Sequence, residues 1–198
     1  MAVDPHKWLY TPLEAGCLLV RDPEALRAAF AYHPPYYHFG SEVTNYVDLG
    51  PQNSRGFRAL KVWMQLRQAG RAGYAEMISD DIALARRLDD RVSEQSELEG
   101  GPGGLSISTF RYVPPELADG VGTPEVESQL AELNREIQAR MERGGVAFVS
   151  NAVVGDRYLL RACIVNINTG PDDVDAIPHL TVELGREVWL SRVAPKTG

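Results

Sequence analysis

The 198-residue chain predicts an α/β protein that ends in a small domain with a mainly antiparallel sheet. Three observations carry that expectation. Strand-like and helix-like runs alternate from residue 105 on. Gly155-Asp156 joins two of the strand-like runs as a hairpin turn would. Several segments carry apolar residues three and four apart, the period of a helix packed on one side. Residues 1–75 lack this alternation and read as a loop-and-helix piece of a larger domain, with 76–198 as the small domain.

Ala15 to Arg21 is an apolar run of strand length. Asp22-Pro23 caps and opens a short helix, Glu24 to Phe30, with proline at a first-turn position where its missing N–H costs nothing. Ala31 to Ser54 follows neither period and is rich in Tyr, His, Pro, Gly and Asn. A long aperiodic loop with so many aromatics reads as functional. Ser54 then caps a helix from about Arg55 to Ala69, with Phe57, Leu60, Trp63, Met64 and Arg67 in period, and Gly70 stops it. A second helix, about Ala72 to Glu97, sets Tyr74, Met77, Ile78, Leu84, Ala85, Leu88 and Val92 on one face. Gly100 to Gly104 breaks the chain.

Leu105 to Val113 reads as a strand and Pro114 to Gly122 as a loop. Thr123-Pro124 opens a helix to about Arg143, with Val126, Leu130, Leu133, Ile137 and Met141 as its buried stripe. Glu125 and Glu127 in its first turn and Arg140 and Arg143 in its last complement the helix dipole, and Gly144-Gly145 ends it. Val146–Val154 and Arg157–Asn166 form the hairpin strands. Asp172 onward is helical through Ile177, Leu180, Leu184 and Val188, with Pro178 expected to divide it into a short turn and a longer helix.

Hydrophobic content of 44% and charge of 24% suit a chain that buries a core. A net charge of −7, with no lysine- or arginine-dense face, argues against a nucleic-acid partner. No apolar stretch approaches a membrane span, and the N-terminus lacks a basic region followed by an apolar one, so a cytoplasmic location is expected. Cys17 and Cys163 have no metal or disulfide spacing and are expected as buried free thiols; no metal site is expected. Met1-Ala2-Val3 reads as a strand end with nothing before it to pair with, as if the chain were the later part of a longer protein.

The chemistry concentrates in Asp4-Pro5-His6-Lys7-Trp8. A lysine at a sharp turn before a buried strand, partly desolvated and backed by an aromatic ring, presents a neutral amine for Schiff-base chemistry. A solvated, snorkelling surface lysine is the plain alternative. The run resembles, residue for residue, the cofactor-lysine segment of the group II pyridoxal-phosphate-dependent amino-acid decarboxylases, the family of aromatic-L-amino-acid decarboxylase. Asn53-Ser54-Arg55-Gly56-Phe57-Arg58-Ala59-Leu60-Lys61-Val62-Trp63 is similar to that family's arginine-phenylalanine-arginine helix start. The loop before it resembles the family's mobile catalytic loop, with Tyr46 at the position of its tyrosine. Arg157-Tyr158-Leu159-Leu160-Arg161-Ala162-Cys163-Ile164 resembles its last strand.

The resemblance implies the C-terminal part of a fold-type I pyridoxal-phosphate enzyme: the end of the large cofactor-binding domain in 1–75, then the C-terminal small domain in 76–198. It implies that Lys7 carries pyridoxal 5'-phosphate, that His6 helps bind the cofactor phosphate and that Asp4 lies against the cofactor. Tyr46 would deliver a proton to the substrate's alpha carbon under a lid that excludes water. The implied reaction converts an L-amino acid, aromatic by preference, to the amine and CO2 in a cytoplasmic homodimer. The alternatives are an aldehyde-forming or transaminating relative and an inactive truncated fragment. In the family's aldehyde synthases the loop tyrosine is commonly replaced, so Tyr46 speaks for decarboxylation. The residues that the family supplies upstream of the lysine are absent from this sequence: the acid at the pyridine nitrogen, the stacking histidine, and the serine and threonine on the phosphate.

Other readings stay open on the residues alone. Tyr36 and Tyr37 compete with Tyr46, which also suits packing or a dimer contact. Arg55 and Arg58 oppose the dipole of a helix they would start, which fits either anion binding or an interface salt bridge. His33 and His38 flank the loop as hydrogen-bonding groups first and catalytic candidates second. His179 reads as surface, and Trp8 as packing for the lysine turn.

Overall fold

The computed structural model describes residues 1–37 and 43–194 and shows an α/β protein with an antiparallel sheet. The chain divides into two compact units, Met1–Arg71 and Ala72–Gly198. The division falls beside Gly70, where helix α2 (Arg58–Ser93) leaves helical geometry at φ 63° and ψ 178°. Only glycine adopts that backbone cheaply, so the stop expected at Gly70 is a break within one long helical run.

In the first unit β1 (Ala2–Val3) pairs antiparallel with β2 (Cys17–Leu18). The N-terminal strand thus has a partner, supplied from downstream, contrary to expectation. The run expected as a strand over Ala15–Arg21 pairs over two residues only, and both are exposed. Cys17 is therefore exposed, and so is Cys163 at the last position of its strand; neither is the buried thiol expected. α1 (Pro23–Phe30) forms as its sequence predicts: the Asp22 carboxylate accepts from the Glu24 N–H at 3.0 Å, and Pro23 occupies the first turn. The aromatic loop contains a 3-10 turn at Tyr46–Leu49.

The helix expected from Arg55 starts instead at Arg58. Ser54 makes no cap, because Gly56 turns the chain first and its carbonyl accepts from the Arg58 N–H at 2.8 Å. The apolar period of this segment is real, but Phe57, Leu60, Trp63 and Met64 are exposed. Large apolar side chains placed together in water mark a surface meant to be covered.

The second unit is built on a four-stranded antiparallel sheet in the order β3-β4-β6-β5. Its strands are β3 (Leu98–Gly100), β4 (Ile107–Tyr112), β5 (Ser150–Val154) and β6 (Arg157–Cys163). β3 was not expected. Its residues follow a helix that ends at Ser93 rather than Glu97, leaving Leu98 free to pair with Tyr112. The β5–β6 hairpin turns at Gly155-Asp156, with Gly155 at φ 60°. Helices α3 (Pro124–Gly144) and α4 (Pro171–Val193) complete the unit, and α3 ends on Gly145 in the left-handed region.

Side chains alternate across each strand. Phe110 and Tyr112 of β4 and Leu160 and Ala162 of β6 join Leu88 and Val92 of α2, Leu130, Leu133, Ile137 and Met141 of α3, and Val174 and Val188 of α4 in one core. The α3 stripe is as predicted, except that Val126 is only partly buried. α4 runs unbroken through Pro178, which does not divide it. Pro178 is buried in the helix, so packing offsets the missing backbone N–H.

Candidate active site

Asp4, Pro5, His6 and Lys7 form a tight turn between β1 and the segment leading to β2. The Lys7 N–H donates to the Asp4 carbonyl at 3.0 Å, and Pro5, buried, pre-sets the backbone at the second corner. The chain then folds back: the Tyr10 N–H reaches the Lys7 carbonyl at 2.9 Å, and the Thr11 N–H reaches the Pro5 carbonyl at 3.0 Å. Tyr10 closes this frame in the left-handed region at φ 51°, a conformation that costs a bulky residue about 1–3 kcal/mol. Such strain gathers where surrounding bonds over-determine a site.

His6 is oriented by the buried Ala15, whose carbonyl lies 2.6 Å from Nδ1. A carbonyl only accepts, so Nδ1 carries the proton and Nε2 is left for another partner. Lys7 differs from its expectation. Its side chain is 66% exposed and its amine lies 2.9 Å from Asp4 Oδ2, so it is solvated and ion-paired rather than desolvated. The strand that was to bury it pairs over only two exposed residues. The ammonium beside Asp4 holds that carboxyl below its ordinary value of 3.8, through the hydrogen bond first and the charge second.

Asp4, His6 and Lys7 therefore stand together on one turn. Tyr46 belongs to a second cluster, the aromatic loop, and is 67% exposed. Its carbonyl accepts from the Arg55 guanidinium. His33 Nε2 lies 2.8 Å from Oδ1 of the buried Asp48, and Asn53 donates to the Tyr37 hydroxyl at 2.9 Å. These bonds tie the two limbs of the loop between residues 33 and 55. His38 lies outside the described residues. Arg58 is taken by Glu14, Nε donating at 2.7 Å, which holds that carboxyl below its usual range. Arg55 is not in the helix at all, so the conflict with the helix dipole does not arise for it. His179 is exposed and Trp8 half-buried.

Sequence reasoning missed Asp48 and Glu14. Each acts through a partner 15 or 44 residues away, and neither stands in a motif. Among the described residues no cluster of His, Cys, Asp and Glu could hold a metal ion. No helix among them is long and apolar enough to cross a membrane.

A reachable lysine amine, a histidine with one nitrogen committed and one available, and a carboxylate stand on one strained turn, a donor set suited to carbonyl chemistry on lysine. Comparison with known proteins gives the family of the chain. Residues 1–100 match the family model described as the pyridoxal-dependent decarboxylase conserved domain. The chain is 30% identical over 197 residues to the aromatic-L-amino-acid decarboxylase of Bacillus atrophaeus, covering 96% of this chain and 39% of that protein. It is 30% identical over 166 residues to the phenylacetaldehyde synthase of a Rosa hybrid cultivar, covering 81% and 32% respectively. The crystal structure of Oryza sativa TDC with PLP and tryptamine superposes with a TM-score of 0.80 at 31% identity, over 94% of this chain and 38% of that one. The chain belongs to the pyridoxal-dependent decarboxylase family. It spans about two fifths of the length of the first of these curated relatives.

The donor set fits the family's cofactor. A primary amine suits the aldehyde carbon of pyridoxal phosphate, and the His6 ring, with Nδ1–H committed to the Ala15 carbonyl, would serve a phosphate oxygen only with a second proton on Nε2 to donate. The turn offers no acid placed for the ring nitrogen besides Asp4, which is engaged with Lys7.

Proposed function

We propose that this chain is the C-terminal part of a cytoplasmic, homodimeric enzyme that uses pyridoxal 5'-phosphate to decarboxylate an aromatic L-amino acid to the amine and CO2. The observation that carries this is the Lys7 turn: an accessible amine on a backbone fixed by three hydrogen bonds and a buried proline, within residues that match the family model. Lys7 would hold the cofactor through its aldehyde carbon. His6, its ring oriented by the Ala15 carbonyl on Nδ1, would donate from a protonated Nε2 to the phosphate. Bound, the cofactor supplies the electron sink for the pair left behind by the departing carboxylate. Tyr46 gives a proton to the alpha carbon from its exposed loop position, which a partner surface must cover to exclude water.

Aldehyde synthases among the relatives make aldehyde formation the second reading. The tyrosine at position 46 favours decarboxylation, because a proton donor there would serve the alpha carbon on the way to the amine.

The test begins with the cofactor. After incubation with pyridoxal phosphate and borohydride reduction, peptide mass should place the label on Lys7 and lose it in Lys7→Ala. Labelling that is scattered and unchanged in Lys7→Ala would sink the assignment. Product analysis with aromatic amino acids should then show amine and CO2; phenylacetaldehyde-type products would favour the second reading.

A further inference from the structure

The amine required for this function is already engaged. Lys7 Nζ lies 2.9 Å from Asp4 Oδ2, and the turn itself dictates the pairing. With the Lys7 N–H on the Asp4 carbonyl and Pro5 at the corner between them, residues 4 and 7 project side by side. The frame is held from both ends, by His6 on the Ala15 carbonyl and by the Thr11 N–H on the Pro5 carbonyl. Of the other charges nearby, His6 acts weakly on Asp4, and Glu14 is committed to Arg58. Asp4 is thus the carboxylate built beside the amine.

Resting on the reading that Lys7 takes the cofactor aldehyde, we propose that Asp4 is a positioning residue for Lys7, a counter-ion that parks the amine on the turn and must release it before the cofactor can bond. Lys7 enters the reaction by giving up a proton to water. Its nitrogen lone pair then forms the bond to the aldehyde carbon, and the carbonyl oxygen departs as water. While the ammonium is held by Asp4 that lone pair does not exist, so opening the ion pair precedes capture. Asp4 restrains loading, and whatever draws its carboxylate away favours it.

The sequence makes the test clean, because its lysines are only Lys7, Lys61 and Lys196. The 198-residue chain is treated with pyridoxal phosphate or with pyridoxal, which lacks the phosphate, in the presence of cyanoborohydride. The labelling rate at Lys7 is read by peptide mass against Lys61 as internal reference. Asp4→Asn should accelerate Lys7 about two- to five-fold over Lys61 with either aldehyde, the range expected for an exposed ion pair. Asp4→Glu should stay near the unsubstituted rate. Added salt should accelerate the unsubstituted chain and not Asp4→Asn, since screening weakens only the pair that remains. An unchanged or slower Lys7 rate in Asp4→Asn overturns the proposal. So does acceleration with pyridoxal phosphate alone, which would mean that Asp4 acts by repelling the cofactor anion. If Lys7 labels no faster than Lys61 even in Asp4→Asn, where the restraint is gone, the anchoring role itself fails.

Discussion

Asn134 does at one position what a neighbouring strand does along a length. The β4–β6 ladder ends at the Phe110–Leu160 pair, and beyond it the Tyr112 N–H donates to Asn134 Oδ1 at 2.8 Å while Asn134 Nδ2 donates to the Tyr112 carbonyl at 2.9 Å. Both groups are buried, so Asn134→Ala leaves two backbone groups without partners and should cost about 2–4 kcal/mol, read as a lower urea midpoint. Arg111 poses the same problem with a full charge. Its side chain is wholly buried between Glu99 and Glu127, and Glu127 also accepts from the Gly122 N–H at 3.0 Å. Glu127→Ala should destabilise by about 3–5 kcal/mol, because it leaves a buried guanidinium with Glu99 alone and frees the Gly122 N–H, whereas Arg111→Met should cost less. Equal losses for the two would contradict this account. Of these residues the sequence pointed only to Glu127, as a first-turn acid of α3; Asn134, four residues after Leu130 and in line with the apolar stripe, was passed over. The partners of Arg111 come from 12 and 16 residues away on different elements, and no local pattern reports them. Asp4, His6 and Lys7 were legible for the opposite reason, since their chemistry is contiguous.

At the scale of elements, α4 is placed by one small residue and one acid. A Cβ at Gly185 would come within 2.5–2.7 Å of the Tyr112 ring, so the helix lies against β4 at a distance only glycine permits. Gly185→Ala should lower stability by about 1–3 kcal/mol through overpacking, with the Tyr112 near-ultraviolet signal disturbed. Asp175 then ties α4 to α2 through Arg87, which donates from Nε at 2.7 Å, and through Arg91. These guanidiniums, Arg87 first, hold the Asp175 carboxyl at about 2, well below its ordinary 3.8. A carboxyl whose folded value is depressed adds stability above its unfolded value and loses that stability as pH falls through the folded one. Urea midpoints should therefore fall between pH 4 and pH 2, and Asp175→Asn should flatten that fall while lowering the midpoint at neutral pH. An identical acid profile in the variant would remove Asp175 as a contributor. The apolar stripes of α3 and α4 were readable because burial imposes a period. Helix starts and strand ends were less so: Gly56 delays α2 through a local turn onto Arg58, and Leu98 begins β3 by pairing with Tyr112 on another strand. Pro178 misled because propensity alone says nothing of the packing that holds α4 straight through it.

For the whole molecule, the two units differ in how much apolar surface they keep. The first leaves Leu18, Leu19, Phe57, Trp63 and Met64 in water, while the second closes a core of residues with almost no exposure. Native-state hydrogen exchange should follow that contrast, fast over the described residues of the first unit and slow in β4, β6 and α3. Uniformly strong protection over the first unit in a monomer would contradict it. The family resemblance was specific in that first unit, where the motif chemistry lies, and looser in the second, where physics alone fixes the shape. Gly70 finally acquires a practical meaning. The ion pairs and ladder bonds of the sheet unit all close on residues beyond it, so a reading frame divided after Arg71 severs none of them. What that division leaves is the whole sheet unit without the Lys7 turn, a module whose independent folding circular dichroism would check.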